Sequence, residues 1–188
     1  MPRLKTMPDA EVLAVALAIV HESGPGALTF AALARRCGLA AATLVQRFGS
    51  KPALVRSTLL HAWDLLDERT AGLAATLPRT PDGAIQLLEA LSRGYGDIEA
   101  YAEGLLVLRE DLRDPVLRAR GAAWQVSLSR AIEERFACLA SIPAGIGSLM
   151  AAQWQGLLLW WSFEPRGGIE AHVRQGLGRF VAALLRSG

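Results

Sequence analysis

The residues whose types and spacing suggest chemistry lie in the segment 33–44, and the chemistry they suggest is recognition of another molecule's surface. Ala34 is small enough for a second helix to cross closely, and Gly38 supplies a tight turn. Leu39 and Leu44 can then bury the two helices against each other. This spacing is typical of a helix-turn-helix, in which the exposed face of the second helix enters the major groove of DNA.

No arrangement typical of an enzyme accompanies this segment. The three histidines are scattered, and Cys37 and Cys138 lie far apart without a CxxC pair. The sequence therefore predicts no enzyme, no metal site and no cofactor. The isolated cysteines fit a reducing cytoplasm. Asp9 and Glu11 interrupt the apolar stretch that a signal peptide needs, so we do not expect export.

The charge is distributed unevenly along the chain. Residues 1–60 carry seven basic and three acidic side chains, a net charge of +4, whereas the whole chain has +2. A cationic end is what a partner bearing phosphates requires, because each neutralised phosphate releases a counterion. The charged run 109–113 is typical of a solvated helix face.

The remaining pattern predicts an all-α protein. Ala, Leu and Arg are abundant, and prolines and glycines fall between amphipathic segments. Thr6 is the expected cap of the first helix, and Thr29 and Ser50 are the expected caps of two later ones. Nine helices are expected at about 8–23, 30–37, 41–48, 51–77, 82–100, 102–112, 115–140, 148–163 and 168–185.

The stretch 136–163 has no charged residue and could be mistaken for a membrane span. Pro143, Gly145 and Gly147 interrupt it. A helix over 148–163 would be about 24 Å long, short of the roughly 30 Å hydrocarbon core of a bilayer. We expect this helix to be buried between proteins, and we expect no membrane partner.

Residues on both sides of the helix-turn-helix extend the motif. Thr29-Phe30 precede it, and Phe48-Gly49-Ser50-Lys51-Pro52-Ala53-Leu54 follow it. The run 29–54 resembles the DNA-binding segment of the TetR family of transcriptional regulators, specifically over about 8–55 and loosely over the whole chain. The resemblance implies an all-α, nine-helix TetR-like fold. It also implies a DNA-binding domain at 1–55, with the helix-turn-helix at about 30–48, and a helical ligand-binding and dimerisation domain at 56–188.

The resemblance also implies a role for each side chain of the segment. Thr29 and Lys51, at the starts of two helices, would hold phosphates of double-stranded DNA. Thr43, Gln46 and Arg47 would lie on the recognition helix, where Gln can pair with adenine and Arg with guanine or a phosphate. Arg35 and Arg36 would flank the groove.

The sequence departs from the family pattern at two positions of the recognition helix. The family usually has a tyrosine where this chain has Val45, and a histidine where it has Arg47. Three alanines, Ala40 to Ala42, leave the start of the helix without polar side chains. Direct readout of bases is therefore expected to be sparse. A helical interaction protein whose headpiece no longer reads DNA is the alternative.

The C-terminal segments predict a partner chain and a ligand. The segment 148–163 is apolar on two sides, so we expect a homodimer through about 148–185 and a pseudo-palindromic operator. In similar proteins the middle helices surround a ligand cavity, which implies a repressor released by a small hydrophobic or aromatic effector. The candidate ligand contacts, which are equally explained as ordinary core aromatics, are Trp63, Tyr95, Tyr101, Trp124 and Trp154.

Overall fold

The computed structural model describes residues 7–139 and 141–186 of the chain. Over these residues it contains nine α-helices and no strand, which confirms the expected all-α fold. The helices are α1 (Asp9–Ala27), α2 (Phe30–Cys37), α3 (Ala41–Phe48), α4 (Lys51–Thr76), α5 (Pro81–Ser92), α6 (Ile98–Arg113), α7 (Pro115–Glu133), α8 (Ile146–Phe163) and α9 (Ile169–Arg186).

The helices pack into two compact units. The first unit comprises the residues up to Leu65 together with Ala102–Gly121, and the second comprises Leu66–Tyr101 together with the residues from Ala122 onwards. The first unit includes the C-terminal part of α6 and the start of α7, because Leu117 joins the hydrophobic core of the N-terminal helices.

Short-range hydrogen bonds fix the ends of α2, α3 and α4. The hydroxyl oxygen of Thr29 accepts from the backbone N–H of Ala32 at 3.1 Å, and that of Ser50 accepts from Ala53 at 3.3 Å. Both expected caps are thereby confirmed. Gly38 has φ of 67°, a left-handed conformation that suits glycine because it has no Cβ.

Two expected helix ends had different outcomes, for local reasons. The regular part of α1 ends at Gly24, where φ is 73°, as expected, and a short helical segment then continues to Ala27. The predicted cap Thr6 lies outside the described residues, and Pro8 occupies the cap position without a side-chain hydrogen bond. α5 stops at Ser92. The carboxylate of Asp97 then accepts from the backbone N–H groups of Glu99 and Ala100, so α6 begins inside the range expected for α5.

In the second unit, α9 packs against α5 and α8, and a buried arginine ties two helix ends together. The guanidinium of Arg135 donates to the carbonyl oxygens of Ala74 at 2.8 Å and Ala131 at 2.6 Å. The carbonyl groups at a helix C-terminus attract a cation, which compensates part of the cost of burying it. Burial lowers the pKa of Arg135 from its ordinary value.

One glycine sets the approach of α8 to α7. A Cβ at Gly147 would lie 2.0 Å from the carbonyl oxygen of Ser129, so no other residue fits there without a shift of the backbone. In the part of the chain that the structure describes, no helix combines the length and the apolar character that crossing a bilayer demands.

Candidate nucleic-acid interface and aromatic cluster

The helix-turn-helix is built by α2 and α3 around a small buried set of side chains. Leu33 of α2 and Leu44 of α3 are fully buried, in the same core as Val12 and Ala16 of α1. Leu44 is the one side chain of α3 that is buried to this degree. Residues 41–43, 45 and 46 of α3 are exposed on the surface.

The exposed side of α3 holds the predicted base-reading residues. Thr43 and Gln46 are exposed, as are Ala41, Ala42 and Val45. A duplex could reach this face without any rearrangement of the headpiece, the name used here for α1, α2, α3 and the start of α4. Two polar side chains and a row of small apolar ones offer a few hydrogen bonds to base edges and van der Waals contacts to thymine methyl groups.

The two predicted phosphate contacts lie where helices begin. Thr29 precedes α2, with its hydroxyl already engaged as the cap. Lys51 is the first residue of α4, and its ammonium donates to the carbonyl oxygen of Gly26 at 2.9 Å. Backbone N–H groups and a nearby ammonium at a helix N-terminus are suited to bind an anion. Lys51 is exposed, so its ammonium can exchange this carbonyl for a phosphate.

Two of the three predicted arginines are paired with carboxylates of α1. Arg36 makes a bidentate ion pair with Glu22, which lowers the pKa of Glu22 and raises that of Arg36. Arg47 donates from Nε to Asp9 at 2.6 Å, and from a second nitrogen to the same oxygen. Arg35 is exposed. Sequence reasoning missed both carboxylates because they lie 14 and 38 residues from their partners.

Four of the five predicted ligand contacts meet in the second unit. The ring centroids of Tyr95 lie 5.7 Å from Tyr101 and 6.3 Å from Trp154, and Trp154 lies 6.4 Å from Trp124. These separations are within the range of direct aromatic contact. The four side chains, defined here as the aromatic cluster, form one connected group.

The indole donors of the aromatic cluster are already satisfied. The indole N–H of Trp124 donates to the hydroxyl of Thr70 at 3.1 Å, and that of Trp154 donates to Ser92 at 2.9 Å. Each hydroxyl donates in turn to a backbone carbonyl of its own helix. Burial raises the pKa of Tyr95 to about 12. The cluster thus presents ring faces rather than unsatisfied polar groups.

The fifth predicted contact, Trp63, lies in the first unit beside a buried carboxyl group. Its indole N–H donates to Asp111 at 3.2 Å, and its ring packs on Gly121, where a Cβ would come within 3.1 Å. Asp111 is only 8% exposed. Burial raises its pKa to about 6, although the bond from Trp63 opposes that shift. The expectation that 109–113 is a solvated face was wrong for Asp111.

Ion pairs also connect α4 to α7 and to Asp114, the residue before α7, within the first unit. Arg56 donates to Asp114 at 2.6 Å, which lowers the pKa of that carboxyl group, and Arg120 donates to Asp64 at 3.1 Å. A cleft of about 320 Å³ lies beside the first of these pairs, lined in part by Lys51 and Glu110.

Comparison with known proteins agrees with this geometry. The family model for bacterial regulatory proteins of the tetR family matches residues 12–58. A transcriptional regulator from Rhodococcus sp. Rha1 shares 16% identity, with a TM-score of 0.69 over 96% of this chain and 97% of that one. The TetR family regulator PfmR from Thermus thermophilus shares 20% identity, with a TM-score of 0.55 over 89% and 94%.

The multidrug binding protein EbrR, in complex with imidazole, shares 19% identity, with a TM-score of 0.62 over 95% of this chain and 96% of that one. No curated protein sequence matches the chain. Its fold and headpiece define an all-α helix-turn-helix protein. Residues 12–58 match the tetR family model, and the described helices have the fold of solved TetR-family transcriptional regulators.

The buried carboxyl group of Asp111 predicts a pH dependence of stability. Its pKa is raised from 3.8 to about 6, so the folded protein holds the proton more tightly than the unfolded chain does. The stabilisation from the protonated carboxyl group of Asp111 is complete below pH 3.8 and is lost as the pH rises through about 6. The unfolding free energy of the wild type should therefore fall relative to that of Asp111→Asn across this window, as measured by urea denaturation at about pH 4 to 8.

Trp63→Phe provides a matched test, because it removes the indole donor that lowers the pKa of Asp111. In that variant the loss of stability should extend to higher pH. A constant difference between the wild type and Asp111→Asn at every pH would contradict the assignment.

Proposed function

We propose that this protein is a DNA-binding transcriptional regulator of the TetR type, a repressor released from a pseudo-palindromic operator by a small hydrophobic effector. The observation that supports it most is the headpiece itself. A recognition helix with an exposed outer face lies between cationic side chains at helix ends, and it is held in place by a buried leucine. We place the protein in the cytoplasm, where its operator would be.

Each headpiece side chain has a proposed task. Thr43 and Gln46 hydrogen-bond to base edges, and Val45 contacts thymine methyl groups. The phosphate contacts are Thr29, Arg35, Arg36, Arg47 and Lys51, which set the register of the headpiece on the duplex. With only two polar readers on α3, part of the sequence preference arises from the shape of the DNA.

Dimerisation is proposed through α8 and α9. On α8 the large apolar side chains Trp160 and Phe163 are 70% and 74% exposed, with their rings 5.6 Å apart. The exposed Leu149 and Leu159 share that side of the helix with the half-buried Gly156. A contiguous apolar surface of this size is unusual on a monomer and typical of an interface.

α9 offers a matching face. It holds small or uncharged side chains spaced three and four residues apart, exposed or half-buried: Ala171, Gln175, Gly178, Ala182 and Leu185. This spacing lets two helices pack along their length, and the small residues allow a close approach. Two copies related by a two-fold axis would form a four-helix bundle and present two recognition helices to two half-sites.

The aromatic cluster is the proposed effector site, in a ligand-binding domain that we assign to 56–188, with the DNA-binding domain at 1–55. The faces of these rings favour a planar aromatic ligand. EbrR, which has a similar fold, is known in complex with proflavin, a planar aromatic molecule. An effector that binds the non-DNA-binding arrangement more tightly would release the operator. Trp63 remains a predicted contact.

Selection of bound sequences from a random DNA pool tests the DNA-binding proposal. The wild type should enrich a pseudo-palindromic sequence. The variant Arg47→Ala with Lys51→Ala should abolish the enrichment and weaken binding at least about tenfold, because two phosphate contacts of the headpiece are lost.

The control for charge is Arg93→Ala with Arg109→Ala, which removes two exposed cations outside α1 to α4. It should retain the enrichment. If the headpiece variant retained it as well, the assigned interface would be wrong. If the wild type enriched no sequence, the chain would instead be the helical interaction protein with a degenerate headpiece.

Substitution of the aromatic pair on α8 tests the dimer. Trp160→Glu with Phe163→Glu places charges on the proposed interface and should convert the dimer to a monomer in analytical ultracentrifugation. Operator affinity should fall about 100-fold or more, because the second half-site is no longer linked to the first. Val126→Glu is the control, since Val126 is 67% exposed on a different helix, α7. An unchanged mass for the aromatic variant would exclude the interface.

Titration with proflavin tests the effector site. Proflavin should release the wild type from its enriched operator, as measured by fluorescence anisotropy of labelled DNA. Trp124→Leu removes one ring of the cluster and should weaken that response about tenfold, with operator affinity unchanged in the absence of ligand. Release that is equally sensitive in both proteins would place the ligand elsewhere.

A further inference from the structure

The side chain of Arg47 is held by several contacts although it lies at the surface. Its guanidinium donates twice to one carboxylate oxygen of Asp9, and its Cζ lies 5.8 Å from the centroid of the Phe48 ring. The side chain is 24% exposed, whereas that of Asp9 is 65% exposed. Arg47 is thus held by a solvent-accessible anion on a different helix.

The fold dictates this pairing. Asp9 is the first residue of α1, and Arg47 lies in the last turn of α3. α1 and α3 share the headpiece core through Val12 and Leu44. That packing places the start of α1 beside the end of α3. The pair is a product of tertiary packing rather than of sequence proximity.

The ion pair has a direct consequence for DNA binding, and this step rests on the proposed function. A phosphate that approaches Arg47 must compete with the carboxylate of Asp9, and the displaced carboxylate is then a negative charge beside the DNA backbone. This penalty is the same for every DNA sequence, because phosphates carry no sequence information. Thr43 and Gln46, which face outward on α3, are not subject to it.

We propose that Asp9 sets the overall strength of DNA binding: it competes with the phosphate backbone for Arg47, lowers the affinity for DNA of any sequence, and leaves discrimination to Thr43 and Gln46. The ion pair weakens one phosphate contact of a headpiece that has few base-reading groups. Non-specific binding and operator binding fall by the same factor. Operator binding therefore keeps its advantage over competing sequences.

Asp9→Asn tests the proposal on the full-length protein with two duplexes, the enriched operator and a scrambled sequence. Affinity for the scrambled duplex should rise about 1.4- to fivefold, the range expected for one surface ion pair. The plot of log affinity against log salt should become steeper by about 0.9, because one more phosphate is neutralised without a competing carboxylate. Affinity for the operator should rise by the same factor, so the ratio between the two duplexes should stay unchanged.

Glu11→Gln is the matched control. Glu11 is exposed in the same first turn of α1 and pairs with no cation among the residues that the structure describes. Its substitution removes the same charge from the same helix N-terminus and should leave the salt dependence unchanged. Melting curves of both variants exclude an effect through stability.

A double-mutant cycle isolates the pair. In an Arg47→Gln background, Asp9→Asn should change neither affinity nor salt dependence. The proposal is overturned if Asp9→Asn behaves like Glu11→Gln, if it weakens binding to both duplexes, or if its effect survives in the Arg47→Gln background. Each of these results would reject the role of Asp9 without rejecting operator binding by the wild type. Failure of the wild type to bind any duplex would instead reject DNA binding itself.

Discussion

The close packing of α2 against α3 at the Gly38 turn is the constraint on which the headpiece depends. Leu33 and Leu44 are fully buried there, and Gly38 adopts a left-handed conformation that a residue with a Cβ adopts only under strain. Because α3 is anchored mainly through Leu44, it is rigidly placed while its other faces stay accessible. A surface that reads a duplex requires both properties at once.

The electrostatics of the headpiece differ from what its net charge indicates. Residues 1–60 carry +4, yet two of the arginines beside the recognition helix are engaged by carboxylates of α1. Net charge describes attraction at a distance, whereas the local pairing decides which cations are available on contact. Lys51 and Arg35 have no carboxylate partner among the described contacts, and they are the cations most readily offered to a phosphate.

In the second unit the buried indole donors have hydrogen-bond acceptors, whereas large apolar side chains are exposed on the surface. Inside, every indole donor of the aromatic cluster has a hydroxyl acceptor, and the rings contact one another directly. Outside, α8 exposes Trp160 and Phe163 to solvent. Exposed apolar side chains grouped in this way are typical of an interaction surface.

The sequence by itself determined the helix-turn-helix and the two helices that form it. The expected bounds of α2 and α3 match the structure, because Thr29 and Gly38 act on backbone groups three or four residues away. The boundary between α5 and α6 was wrong, since the caps at Gly96 and Asp97 competed with a continuous apolar pattern.

Tertiary structure alone decided which side chains meet. Asp9 with Arg47, Trp63 with Asp111, and the four rings of the aromatic cluster are brought together by helices far apart in the chain. Capping depends on the next few residues and can be predicted from a local pattern. Contacts between helices depend on how whole apolar faces pack, which no local pattern specifies.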